Sequence, residues 1–119
     1  MALHYNLAKV YAISDNDPDF VYQTAKVFVL DTPIDLDHIK VAIEEKNHQK
    51  CFEYAHKIKP SLDLLSMNIA LEELILIELW AKSLGKKKEV VELYRSISSH
   101  IKKAIKEIKK DFNLNSVKI

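Results

Sequence analysis

The sequence predicts an all-α protein, an antiparallel up-and-down four-helix bundle with one or two additional helices at its N-terminal end. Apolar residues recur at helical spacing almost throughout, and the breaks between periodic runs coincide with residues that cap helices. The 119 residues include one glycine and three prolines, against an average usage of roughly 7% and 5%. Positions that need positive φ are therefore expected to be nearly absent. That composition speaks against hairpin-rich β folds, glycine-rich phosphate loops and dinucleotide crevices. The length suits one domain over residues 1–119, with N-terminal helices across 3–30 and a core bundle across about 34–112.

In chain order, five main helices and a short leading one are expected. Residues 3–13 carry Leu7, Val10, Tyr11 and Ile13 at helical spacing. Asp17 followed by Pro18 starts the next helix, because a carboxylate accepts from the orphan N–H groups and proline is tolerated at the first helical position. It is expected to stop near Leu30, where Thr32 and Pro33 repeat the device, or Asp35 caps slightly later; Ile39, Ala42 and Ile43 then lead to Asn47. Residues 48–65 place Cys51, Ala55, Ile58, Leu62 and Leu65 on one buried stripe. Residues 69–84 are apolar nearly all round, as suits a helix packed by several partners, and Gly85 is expected as its left-handed cap. The last helix, 86–112, turns Val90, Tyr94, Ile97, Ile101, Ala104, Ile108 and Phe112 inward and gathers lysines at its end.

Charge and cysteine content narrow the function. Lys plus Arg number 18 against 17 Asp plus Glu, a net charge of +1, so no nucleic-acid or membrane partner is expected and a monomer is. The window 69–84 holds Glu72, Glu73, Glu78 and Lys82 and is too short and too charged to span a bilayer. With one cysteine, Cys51, and no signal-like leader, a cytoplasmic protein is expected. His48, Cys51 and His56 do not make a metal site, since Cys51 turns inward, His56 turns outward and no fourth ligand is near. The C-terminal lysines read as a solvated helix face, and the five tyrosines as packing residues with wet hydroxyls.

The chemistry concentrates in the tract FEYAHKIKPSLDLL, which begins at Phe52. At about 100° per residue His56 points about 140° away from the buried stripe. An exposed imidazole is a neutral nucleophile for an appreciable fraction of the time near pH 7. Lys59, one turn on, puts an ammonium where it could neutralise a phosphoryl group on that ring. Glu78, an isolated charge in a very apolar helix, has two readings. It faces His56 and orients the imidazole, or it forms a surface pair with Lys82.

The tract resembles the histidine-containing phosphotransfer domain of multistep phosphorelays. That family's motif has Ala, then the phosphorylated His, Leu or Ile at +2, Lys at +3, Gly at +4, a second Gly near +10 and a carboxylate or amide near +22. Ala55, His56, Ile58, Lys59 and Glu78 match. Pro60 stands for the first glycine, where a local kink is expected because proline lacks the N–H that would bond the His56 carbonyl. Ser66 stands for the second.

The resemblance implies that His56 takes a phosphoryl group from one response-regulator receiver and gives it to another, upstream of which sits a hybrid histidine kinase. Lys59 would steady the phosphoryl oxygens and Glu78 would orient the ring. Phe52 and Pro60 would flank the imidazole, with Lys57, Asp63 and Leu64 as the rim of the dock. No cofactor is expected on this chain, Mg²⁺ belonging to the receiver, and the protein would be a carrier rather than an enzyme. Two other classes stay open: a kinase dimerisation-hairpin fragment, which HKIKPSL partly echoes, and a helical adaptor without phosphate chemistry.

Overall fold

The computed structural model describes residues 4–114 and contains α1 (Ala8–Ile13), α2 (Pro18–Glu44), α3 (His48–Leu64), α4 (Asn68–Lys82) and α5 (Val91–Asp111), with a 3₁₀ turn at Lys87–Glu89. The four long helices pack antiparallel, α2 on α3, α3 on α4, α4 on α5 and α5 back on α2, and α1 rests on α2. Residues 1–3, which include the first residue of the expected leading helix, and residues 115–119 lie outside the described residues.

Three boundaries differ from expectation: α1 begins at Ala8 rather than at residue 3, α5 begins at Val91 rather than at residue 86 because the 3₁₀ turn precedes it, and the second expected helix does not stop near Leu30. No break occurs at Thr32 and Pro33: the chain from Pro18 to Glu44 is a single helix with Pro33 inside it. The bundle therefore starts at residue 18 rather than 34, with α1 as its one extra helix. The reason is packing. Val29, Thr32, Leu36 and Ile39 form one buried stripe that runs past the proline, and each large apolar side chain removed from water contributes about 1.5–3 kcal/mol. Together they outweigh the roughly 3 kcal/mol that an interior proline costs. At 27 residues and 1.5 Å per residue the helix is about 40 Å long, which sets the 43 Å long axis of the molecule. Likewise α3 runs unbroken through Pro60.

The scarcity of glycine does not remove left-handed turns. Asp15, Lys46, Ser66, Leu84 and Asn113 all have φ between 54° and 57°, each just past the end of one of the five α-helices. After each of them the chain closes with the same pair of bonds; at the end of α4, Leu84 N–H donates to Ala81 O at 3.2 Å and Gly85 N–H to Trp80 O at 3.0 Å. Such Schellman closures usually place glycine at the left-handed residue. Here the left-handed residue is Leu84, while Gly85 has no positive φ. Gly85 is small for a different reason: a Cβ there would sit 2.3 Å from Trp80 Cδ1. The indole N–H donates to Lys86 O at 2.9 Å, and the His48 ring, 4.7 Å from the indole, donates through Nε2 to Gly85 O at 2.8 Å. This joins the start of α3 to the turn after α4.

The leading segment is bound at several points. Asn6 N–H donates to Leu65 O at 2.8 Å, the Tyr5 hydroxyl to Asp111 at 2.5 Å, and His4 Nδ1–H to Glu107 at 2.5 Å. Burial first, and then Asp111, push the Tyr5 hydroxyl well above its ordinary pKa. The hydroxyls of Tyr5 and Tyr94 are thus bonded within the protein rather than wet, Tyr94 donating to Leu36 O at 2.9 Å. No described helix is long and apolar enough to cross a membrane.

Leu84→Gly, at a residue 71% exposed, relieves the left-handed strain and should raise stability by about 1 kcal/mol, a rise of about 4 °C in Tm. Gly85→Ala should lower it by about 2 kcal/mol as Trp80 is displaced; thermal melts of both variants check the opposite signs. Burial raises the Cys51 thiol pKa from 9.0 to about 11. Between those values the unfolded chain holds fewer protons than the folded one, so Cys51 should make stability fall as pH rises through this window. At pH 8 a thiol reagent should label Cys51 slowly until denaturant is added.

Candidate functional site

Cys51, Ala55, Ile58 and Leu62 of α3 are buried, which fixes the opposite side of that helix toward solvent. The His56 side chain is 65% exposed on that outer side. Its Nδ1–H donates to Glu78 Oε2 at 3.0 Å, and no described residue bonds Nε2. Lys59, one turn along α3, places its ammonium 3.1 Å from the other oxygen, Glu78 Oε1. Two cation-forming side chains of α3 thus share one carboxylate of α4.

Glu78 is only 6% exposed. It sits on the shoulder of α4 that meets α3, one turn from the buried Leu74 and from the buried Ala81. Burying a carboxylate without partners costs several kcal/mol, and removing one partner of a buried pair typically costs about 3–5 kcal/mol. Both oxygens here are engaged. Of the two readings of Glu78, the structure has the one that faces His56. Lys82 instead lies with its ammonium 4.9 Å from the centre of the Phe52 ring, a cation–π contact that the four-residue spacing from Glu78 does not reveal.

Phe52 stacks on the imidazole, with ring centres 5.6 Å apart and planes 16° from parallel. His56, Phe52, Lys59, Glu78 and Pro60 therefore form one continuous patch across α3 and the shoulder of α4. Pro60 has no N–H, so the His56 carbonyl lacks its usual helical donor on the exposed side of α3.

The remaining rim residues lie apart from this patch. Lys57 turns toward α2 and donates to the buried Asp35 at 3.1 Å, and that bond holds its ammonium above the ordinary lysine value. Asp63 accepts from Lys9 of the leading helix at 3.1 Å. Leu64 is half-buried in a small cleft between α2 and α3 with Val27 and Phe28. Asp35 and Lys9 were not legible as partners, since neither stands at a helical spacing from the residue it holds.

Sequence reading also missed an exposed apolar face on α4. Ile69, Leu76 and Leu79 are 65%, 52% and 56% exposed, and Ile75 is 37% exposed. Leu79 and Ile75 stand next to Glu78 and one turn before it, so this face continues the His56 patch. Its signal was present in the nearly uniform apolarity of 69–84, which reads equally well as a fully enclosed helix.

The arrangement offers an accessible ring nitrogen, a fixed tautomer, a nearby ammonium and an apolar surround. Among the described residues no group of three or more His, Cys, Asp or Glu is placed to hold a metal ion. Comparisons with family models, with curated proteins and with solved structures return no match for the chain.

Proposed function

We propose that this protein is a histidine phosphotransfer carrier of a multistep phosphorelay, with the helical bundle serving as a phosphotransfer-type scaffold. His56 accepts a phosphoryl group from the aspartyl phosphate of one receiver domain and delivers it to the aspartate of another. The observation that carries this reading is the exposed imidazole whose Nδ1–H is engaged by Glu78 while Nε2 is unbonded.

That geometry supports an in-line transfer. Nε2 attacks phosphorus in line with the departing carboxylate oxygen; an N–P bond forms, the acyl P–O bond breaks, and the receiver keeps the electron pair as a free carboxylate. The phosphorylated ring, still protonated at Nδ1, carries positive charge that the Glu78 carboxylate offsets. Lys59 rests on Glu78 and needs only a side-chain rotation to reach the phosphoryl oxygens. Because the reaction is mainly positioning and charge neutralisation, a carrier needs little more, and Mg²⁺ and the acidic cluster come with the receiver.

Phe52, Pro60 and the α4 residues Ile75 and Leu79 supply the apolar surface on which a receiver settles. Exposed apolar patches of this kind mark interaction sites. The same face would also suit a helical adaptor with no phosphate chemistry. That reading requires partner binding unchanged by His56→Ala and no label on the protein.

Incubation with a phosphorylated receiver should put acid-labile, base-stable phosphate on the protein, and His56→Gln should abolish it. Label retained by that variant would overturn the assignment. Glu78→Gln keeps the shape of the side chain but removes the charge shared by His56 and Lys59. It should slow transfer about 10- to 100-fold in rapid-quench measurements, with the wild-type circular dichroism spectrum retained.

A further inference from the structure

Across the bundle from His56, the seam between α2 and α5 stays open as a cleft of about 750 Å³. In the ring of four helices this seam is opposite the α3–α4 seam that holds the phosphotransfer patch. Ile43, Val91 and Tyr94 line its floor. Its walls carry Lys40, Lys87, Arg95, Lys102, Lys103 and Lys106, against the single carboxylate Glu44.

Two features separate this cleft from an ordinary solvated face. The first is charge: six cationic side chains face one carboxylate here, whereas Lys9, Lys57 and Lys59 are each matched by a carboxylate. In the cleft only Arg95 has an ion pair, with Glu92; the five lysines have none among the described residues. A chain with a net charge of +1 thus concentrates unpaired positive charge along one apolar furrow. The second feature is shape. Lining residues on α5 run from Val91 to Lys106, about 22 Å at 1.5 Å per residue, and the cations among them, Arg95 to Lys106, are strung along about three helical turns rather than gathered round a point.

We propose that the α2–α5 cleft is a docking site for an amphipathic helix of a partner protein, its apolar side chains on Ile43, Val91 and Tyr94 and its flanking carboxylates on the lysine walls. This occupant matches both features. A compact anion would use one end of so long a row of charges, whereas a helix of four or more turns spans it. A bilayer surface does not enter a concave furrow. A single-stranded nucleic acid needs aromatic faces to stack on, and the one aromatic lining residue, Tyr94, is half-buried with its hydroxyl tied to Leu36 O. Lying opposite His56, the site would hold a partner while a receiver occupies the phosphotransfer face.

The test uses a synthetic 18-residue helix with Leu at i, i+3, i+4, i+7 and Glu beside them, titrated into the full-length, isotopically labelled protein. A scrambled peptide of the same composition, phosphatidylserine vesicles and oligo(dT) are run in parallel. Binding of the designed helix with amide shifts confined to Ile43, Val91, Tyr94 and their neighbours is expected. So is a tenfold or greater loss of affinity in Lys102→Glu/Lys106→Glu, a decline with added salt, and no change in His56→Gln. Equal binding of the scrambled peptide, equal binding by the double variant, or preference for vesicles or oligo(dT) would overturn the proposal. An unchanged melting curve for the double variant separates lost docking from lost fold, and Lys102→Gln/Lys106→Gln, which removes charge without reversing it, should fall between.

Discussion

A carboxylate nearly shut off from water has to be matched by cations, and the placement of Glu78 makes that requirement structural. The rest of α4 leaves little freedom, because its inner face is committed to the core by Leu74, Ile77 and Ala81. Once that face is buried, Glu78 stands at the boundary with α3, and α3 must present positive or proton-donating groups there. His56 and Lys59, one turn apart, do so through different oxygens. The pair on α3 is thereby oriented by the same packing that holds the helices together. Such orientation is what the proposed phosphoryl transfer would need, since small misplacements of a reacting atom cost large factors in rate.

A second principle concerns where the bundle holds its chain reversals. All five α-helices stop with a residue in the left-handed region, two of them in a row after α1, yet none of those residues is glycine. The strain is borne at helix ends, away from the buried stripes and from the exposed middle of α3. The one glycine serves packing instead, making room for the indole of Trp80. Glycine count is therefore a poor guide to the number of tight turns here, because the six-to-one backbone bond that closes each end compensates locally for a side chain in an unfavourable region.

Much of the architecture was legible from periodicity. The buried stripe of α3, the inward residues of α5 and the Asp17–Pro18 start are found where the spacing puts them. The reading failed at Pro33, where a local stop signal competed with a continuous apolar stripe and the stripe prevailed. It failed again at Gly85, where residue type suggested a backbone role and the actual need was steric. Of the candidate site, the outward direction of His56 followed from angle alone. The identity of its partner across the helix–helix seam did not, because helical spacing carries no information about which residue of a neighbouring helix stands opposite. Lys57, Asp63 and Leu64 illustrate the same limit: all are on the outer half of α3, yet their positions are governed by Asp35, by Lys9 and by the α2 groove.

The near-parallel, offset stack of Phe52 on His56 has one more consequence. An aromatic ring lying nearly parallel to the imidazole, with 5.6 Å between centres, puts the ring protons of His56 within reach of its ring current. Their magnetic resonance frequencies are then sensitive to any tilt or slide of the imidazole, and they register its chemical state from within. The residue at the centre of the patch is consequently its own spectroscopic reporter, readable in solution without a label.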